Sequence, residues 1–238
     1  MSAPLLLVTR PEPEASATVA AAEAAGFRAV AAPLLAIRPV AARAAGPDRP
    51  DAVLLTSARS AALLRAARPD LSPAIPLFAV GPRSAEAARA AGFTSVTATA
   101  SDGQAALAAA VAAGHCRILH GRGTAHRRLA VPPGVELLPL PLYAARAARV
   151  LPAAARAALG AGAITLLFSP RTAAVFRRLV ARAGLAPESL AIVALSGPVM
   201  AAAGPGWRAV EVAARPGTAE VLAAARRLWQ GSGGGADG

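Results

Sequence analysis

The stretch Thr56-Ser57-Ala58-Arg59-Ser60-Ala61-Ala62 returns, little changed, as Phe168-Ser169-Pro170-Arg171-Thr172-Ala173-Ala174. Each copy follows a short apolar run and opens an alanine-rich stretch. That pattern reads as strand, polar corner and helix start. Other pairs follow in the same order. Ala79-Val80-Gly81-Pro82 matches Leu195-Ser196-Gly197-Pro198, and Gly103-Gln104-Ala105-Ala106 matches Gly217-Thr218-Ala219-Glu220. Pro33 and Arg38 have counterparts in Pro141 and Arg146. Any one pair could arise by chance in an alanine-rich chain, but the shared order points to a duplicated unit. Two similar halves predict two lobes with a cleft between them.

Outward from these corners the same alternation continues. Apolar runs are expected to be strands at residues 5–8, 29–37, 53–55, 77–80, 96–99, 118–119, 135–142, 164–168, 192–195 and 209–212. Few of them alternate with period two, and helical stretches lie between most of them. This is the signature of parallel sheets covered on both faces, an α/β fold. Pro11 and Pro13 suit the first turn of a helix, Glu12 and Glu14 suit its dipole, and Gly26 suits the position just past its end.

The 238 residues allow one large domain or two small ones. Hydrophobic residues make up 55% and aromatics 3%, and mean hydropathy is +0.47. Alanine supplies much of the apolar fraction and buries little area per residue. The net charge is +12, and all 25 basic residues are arginine. GC-rich codons explain that bias without function, yet the positive field attracts anions whatever its origin. Guanidinium groups also fork well onto carboxylates and phosphates. Cys116 has no partner for an internal disulfide, which fits a reducing cytoplasm. No basic leader precedes an apolar segment at the start, and residues 157–168 are too short to span a bilayer. The expectation is a cytoplasmic protein without membrane association.

Small polar residues recur just after the strands: Thr9-Arg10, Thr56-Ser57, Gly81-Pro82, Gly121-Arg122, Ser169-Pro170 and Gly197-Pro198. Carboxyl ends of parallel strands are where open α/β sheets bind ligands, and amides at helix starts hold anions. Ordinary helix capping explains each position alone; six along one edge favour a site. Tyr143, the single tyrosine, is either a half-buried packing residue or a weak acid facing a cleft. His115, His120 and His126 have no metal-ligand spacing and read as surface or loop residues. Gly121-Arg122-Gly123-Thr124 is half of a phosphate loop and lacks the rest. No Ser/His/Asp order stands out. The arginines lack aromatic interleaving, so nucleic acid is not the expected partner despite the charge.

Taken together, Leu7-Val8-Thr9-Arg10-Pro11, Gly26-Phe27, Pro33-Leu34, Leu55-Thr56-Ser57, Ala79-Val80-Gly81, Gly92-Phe93, Tyr143, Phe168-Ser169-Pro170 and Gly197-Pro198 resemble uroporphyrinogen-III synthases in order and spacing. The resemblance runs from Leu5 to about Trp229. It implies two flavodoxin-like lobes joined by two linker strands. One lobe would comprise residues 1–37 and 149–231, the other residues 42–142, with linkers at 38–41 and 143–148 and a flexible tail at 232–238. The implied reaction closes the polycarboxylate hydroxymethylbilane to uroporphyrinogen III without metal or organic cofactor. It implies a monomer that takes its substrate from hydroxymethylbilane synthase by transient hand-over. On this resemblance Tyr143 is the candidate acid. Thr9, Arg10, Thr56, Ser57, Gly81, Ser84, Gly121, Arg122, Ser169, Pro170, Gly197 and Pro198 are candidate binding residues. Val199 and Met200 depart from the hydroxyls that many members carry after Gly-Pro.

Overall fold

In the computed structural model, residues 3–40, 49–99 and 102–231 are described. The expected start of a second lobe at residue 42 and the tail at 232–238 lie outside them. The chain divides into two compact units, Met1–Ala36 with Arg146–Gly238, and Ile37–Ala145.

The first unit holds β1 (Leu5–Val8), α1 (Glu14–Ala24) and β2 (Arg28–Ala31) from the chain's start. From its later part come α5 (Ala153–Gly160), β9 (Ile164–Leu167), α6 (Pro170–Arg182), β10 (Ala191–Ala194), α7 (Gly197–Ala203), β11 (Ala209–Val212) and α8 (Thr218–Gly231). Its sheet runs β11-β10-β9-β1-β2 with every pairing parallel. Counted along the chain within the unit, that is the order 2-1-3-4-5. Alternate residues of the strands feed two cores. Leu7, Leu167 and Ile192 meet α5, α6 and α7 on one face; Leu6, Val8, Leu166 and Val193 meet α1 and α8 on the other. Central strands with both faces covered read as continuous apolar runs, which is why Ile164–Leu167 and Ala191–Ala194 show no alternation.

The second unit holds β4 (Ala52–Leu55), α2 (Ser60–Ala67), β5 (Leu77–Val80), α3 (Gly81–Ala90), β6 (Val96–Thr99), α4 (Gly103–Ala112), β7 (Arg117–Gly123) and most of β8 (Glu136–Ala147). The strand order is β3-β8-β7-β4-β5-β6, where β3 is Leu35–Pro39. Val53, Leu55, Leu77 and Leu119 pack with α2 and α3; Leu54, Phe78 and Ile118 pack with α4. The chain leaves β4 in one direction along the sheet and leaves β7 in the other. The topological switch therefore falls between β4 and β7. The chain passes between units within β3 and within β8. Val40 N donates to Leu142 O, and Ala148 N donates to Leu34 O, so these two strands run antiparallel.

Three local expectations are corrected. The strand expected over residues 29–37 is two strands, β2 and β3, separated at Pro33, which has no N–H to give the ladder. Pro11 and Pro13 precede α1 rather than lying inside it. Pro13 is its N-cap, and the Glu12 carboxylate accepts from the Ser16 amide and hydroxyl at 3.1 and 2.9 Å. Gly121-Arg122 does not precede a helix. Both lie in β7, which is hydrogen-bonded to β4 on one side and β8 on the other and so continues to Gly123. Gly26 does end α1 as expected, at φ 80°, with Phe27 N bonded back to Ala22 O.

Candidate functional site

A cleft of about 700 Å³ opens at the carboxyl ends of β4, β5, β7 and β8, within the second unit and beside the switch point. Thr56 closes β4, Val80 ends β5, His120 and Gly123 belong to β7, and Tyr143 to β8. The start of α4 adds Asp102, Gly103 and Gln104, and the segment after β7 adds His126, Arg127 and Arg128.

The glycines of this edge are packing residues. A Cβ on Gly121 would meet Leu55 Cδ2 at 2.8 Å and Leu142 Cδ1 at 3.2 Å. A Cβ on Gly123 would meet the Tyr143 ring at 2.8 Å. Gly121-Arg122-Gly123 thus lets β7 sit close between β4 and β8, and it is no phosphate loop. Tyr143 is half-buried, and its carbonyl accepts from Thr124 N at 2.8 Å, just past a register shift at Arg122/Gly123. Strand pairing and ring contact together fix the phenol at the cleft.

The segment after β7 is tied down from the opposite wall. Gln104 Nε2 donates to Ala130 O at 2.9 Å, and Ala130 N donates to Gln104 Oε1 at 2.8 Å. This amide pair holds the exposed Arg127 and Arg128 along the cleft. Asp102 Oδ1 accepts from Gln104 N and Ala105 N at 2.9 and 3.0 Å, capping α4. The anion position at that helix start is therefore filled by the protein's own carboxylate. Positive charge in the cleft comes from the arginines.

His120 was expected at the surface and is instead 2% exposed, because β7 is an inner strand. Its Nε2 is buried without a hydrogen-bond partner among the described residues. Burial, then the charges of Arg122 and His126, lower its pKa from 6.5 to about 4, so it is neutral at pH 7. Arg122 Nη1 donates to His126 Nδ1 at 2.6 Å. A guanidinium has no acceptor, so His126 Nδ1 is the acceptor there. Burial also lowers the Arg122 pKa.

Of the residues expected at a site, Thr56 and Tyr143 line this cleft. Ser57 follows Thr56, and its Oγ accepts from Arg59 N at 3.3 Å. Gly81 takes φ 74° at the start of α3, where an L side chain would be strained. Ser84 is buried in α3. The first unit carries the remainder along its own sheet edge. Thr9 is fully buried and donates to Leu166 O at 2.8 Å. Arg10 lies over the Phe168 ring, 4.4 Å from its centroid. Ser169 caps α6 by accepting from Thr172 N at 3.1 Å, with Pro170 in its first turn. Gly197 and Pro198 open α7, where Val199 is buried in the core and Met200 packs beside it. That packing is the physical reason these two positions are apolar.

Sequence reading missed Asp102, Gln104, His120, His126, Arg127 and Arg128. His120 had a signal: a titratable residue at the end of the apolar run Ile118-Leu119. Among the described residues no cluster of His, Cys, Asp and Glu could hold a metal ion, and no helix is long and apolar enough to cross a membrane.

A family model described as uroporphyrinogen-III synthase HemD matches residues 16–223. No curated protein matches the chain. Among solved structures, uroporphyrinogen-III synthetase from Helicobacter pylori is similar at 12% identity and TM-score 0.59, covering 95% of this chain and 100% of that one. A mutant uroporphyrinogen III synthase from Thermus thermophilus is similar at 17% identity and TM-score 0.52, covering 96% and 100%. At these identities the likeness is one of fold.

Proposed function

The chain belongs to the uroporphyrinogen-III synthase family, and from that premise we propose how its cleft serves the reaction. The protein cyclises hydroxymethylbilane to uroporphyrinogen III, with loss of water and inversion of the last pyrrole ring, in tetrapyrrole biosynthesis. The observation that carries the assignment to this cleft is its lining. A phenol, two exposed guanidiniums and a neutral imidazole converge at the carboxyl ends of parallel strands.

The substrate is a flexible polyanion. Arg127 and Arg128 receive carboxylates in a field raised by the +12 net charge. Thr56 extends that surface in the second unit, with Ser57, Gly81 and Arg122 each next in the chain to a lining residue. In the first unit Arg10, Ser169, Pro170, Gly197 and Pro198 lie along that unit's own sheet edge as proposed contacts for further carboxylates, while Thr9 is buried beneath it. Tyr143 hands its proton to the departing hydroxyl as the C–O bond breaks, so water leaves. The methylene left behind bonds to the substituted α-carbon of the last pyrrole. That carbon's bond to its own bridge then breaks, the freed bridge carbon bonds to the ring's other α-carbon, and the proton lost there restores the phenol. A pyrrole nitrogen can expel the hydroxyl by its own electron pair. The protein therefore acts mainly by holding the chain ends together, with the acid secondary and no cofactor needed.

The architecture is read as an internal duplication of flavodoxin-like units joined by linker strands. Support comes from the first unit's order 2-1-3-4-5. Cyclically renumbered from β9, the first sheet reads 3-2-1-4-5; renumbered from β4, the second reads 3-2-1-4-5 with β3 added at its edge. The lobes of this reading are 1–37 with 149–231 and 42–142, linked at 38–41 and 143–148; the division into Met1–Ala36 with Arg146–Gly238 and Ile37–Ala145 supports it. The protein acts as a cytoplasmic monomer and takes hydroxymethylbilane by transient hand-over from the synthase that makes it; nucleic acid and membrane are not its partners.

The test is incubation with enzymatically generated hydroxymethylbilane and separation of the product isomers. Uroporphyrinogen III is expected. Formation of the uncatalysed, non-inverted isomer alone overturns the reading.

A further inference from the structure

We infer that His120 is a substrate-binding residue whose imidazole lone pair accepts a hydrogen bond from a pyrrole N–H of the bound tetrapyrrole. The inference rests on the reading of this cleft as the tetrapyrrole site. His120 lies in the inner strand β7, in register with Leu54 on β4 and Pro139 on β8, and it lines the cleft. It is 2% exposed, and its Nε2 has no partner among the described residues. An unpartnered polar atom at such a depth is destabilising, and an apolar side chain would fill the position without that cost. A ligand entering the cleft satisfies it.

The rest of the lining says which kind of ligand group. Arg127 and Arg128 are donors only. Asp102 spends its Oδ1 on the α4 amides, and Gln104 spends both ends of its amide on Ala130. His126 Nδ1 is taken by Arg122. Asp102 Oδ2 and the hydroxyls of Thr56 and Tyr143 also accept, but they are less buried, so His120 is the most deeply placed side-chain acceptor of a cleft rich in donors. The substrate brings carboxylates for the donors, and four pyrrole N–H groups that need acceptors. A neutral imidazole always keeps one unprotonated nitrogen. Loss of hydroxyl also leaves a pyrrole with positive character. An imidazolium would repel it, and a neutral ring does not.

The test compares His120→Phe and His120→Asn with the unmodified protein. The readouts are KM for hydroxymethylbilane, turnover, and binding of uroporphyrinogen III kept reduced under anaerobic conditions. His120→Phe is expected to raise KM and weaken product binding about tenfold. Its melting temperature is expected to hold or rise, and His120→Asn to recover part of the binding. In the unmodified protein, an imidazole 15N resonance of His120 shifts when the product is added. Wild-type KM and product affinity in His120→Phe overturn the inference; so does an unmoved 15N resonance, which decides the matter if the variant does not fold. Failure of the underlying reading is a separate outcome: the unmodified protein would then yield the non-inverted isomer alone.

Discussion

Gly123 faces Tyr143 across the β7–β8 ladder so closely that a Cβ on the glycine would stand 2.8 Å from Tyr143 Cε2 and 3.0 Å from Cζ. The glycine's φ is not positive, so backbone freedom does not explain it. Space for the ring does. Gly123→Ala therefore moves the phenol with little strain elsewhere. The cost of the extra methyl is about 1 kcal/mol, or a melting point lower by about 2–4 °C. Turnover should fall about as far as in Tyr143→Phe, and the double variant should be no worse than either single one. Additive losses would show that the two residues act separately.

Tyr143→Phe removes the hydroxyl and keeps the ring that covers Gly123. Folding should be unaffected, and turnover should fall at least tenfold, within the usual contribution of a positioned acid. KM should change little, because the phenol is assigned to the bond-breaking step rather than to holding carboxylates. An unchanged turnover number removes Tyr143 from the mechanism.

The parallel α/β fold was legible because buried strands such as Ala52–Leu55 and Ala191–Ala194 are uniformly apolar and are followed by small polar corners. The break at Pro33 was harder to read, since Leu34 and Leu35 continue the apolar run on the far side of the missing N–H. Thr56 was found at the cleft because it follows a strand, and Tyr143 because it is the single tyrosine, although it lies inside β8 rather than at its end. The role of Gly121 and Gly123 could not be read from their spacing, which does not say whether room is made for a phosphate or for Leu55 and a tyrosine ring. The segment bearing Arg127 and Arg128 was passed over because its position depends on Gln104, 26 residues distant from Ala130 in the chain. A long-range amide pair leaves no periodic trace in a sequence.

Buried neutral His120 makes stability depend on acid. Its pKa is about 6.5 unfolded and about 4 folded, so the unfolded chain binds more protons between those values. Stability must fall as pH drops through that window, by about 3 kcal/mol at most, and stay level above it. The charges acting on the ring are those of Arg122 and His126. In His120→Phe the loss over pH 6.5 to 4 should be smaller by a comparable amount, measured by urea unfolding at several pH values. Parallel curves for the two proteins would contradict a neutral, buried imidazole.

Gln104 and Ala130 exchange two hydrogen bonds, and that exchange holds the arginine segment against α4. Gln104→Ala removes both bonds at an exposed site. The stability cost should be modest, about 1 kcal/mol, because water can replace the lost partners. The larger effect should be on substrate capture: freed from the α4 wall, Arg127 and Arg128 must be ordered anew each time a polyanion binds. KM for hydroxymethylbilane should rise severalfold with turnover kept, and amide exchange across residues 125–130 should quicken. Replacing both arginines by glutamine should raise KM further and weaken its dependence on salt, since the screened attraction is then gone. A KM that stays put in Gln104→Ala while amide exchange quickens would mean that the position of this segment does not govern binding.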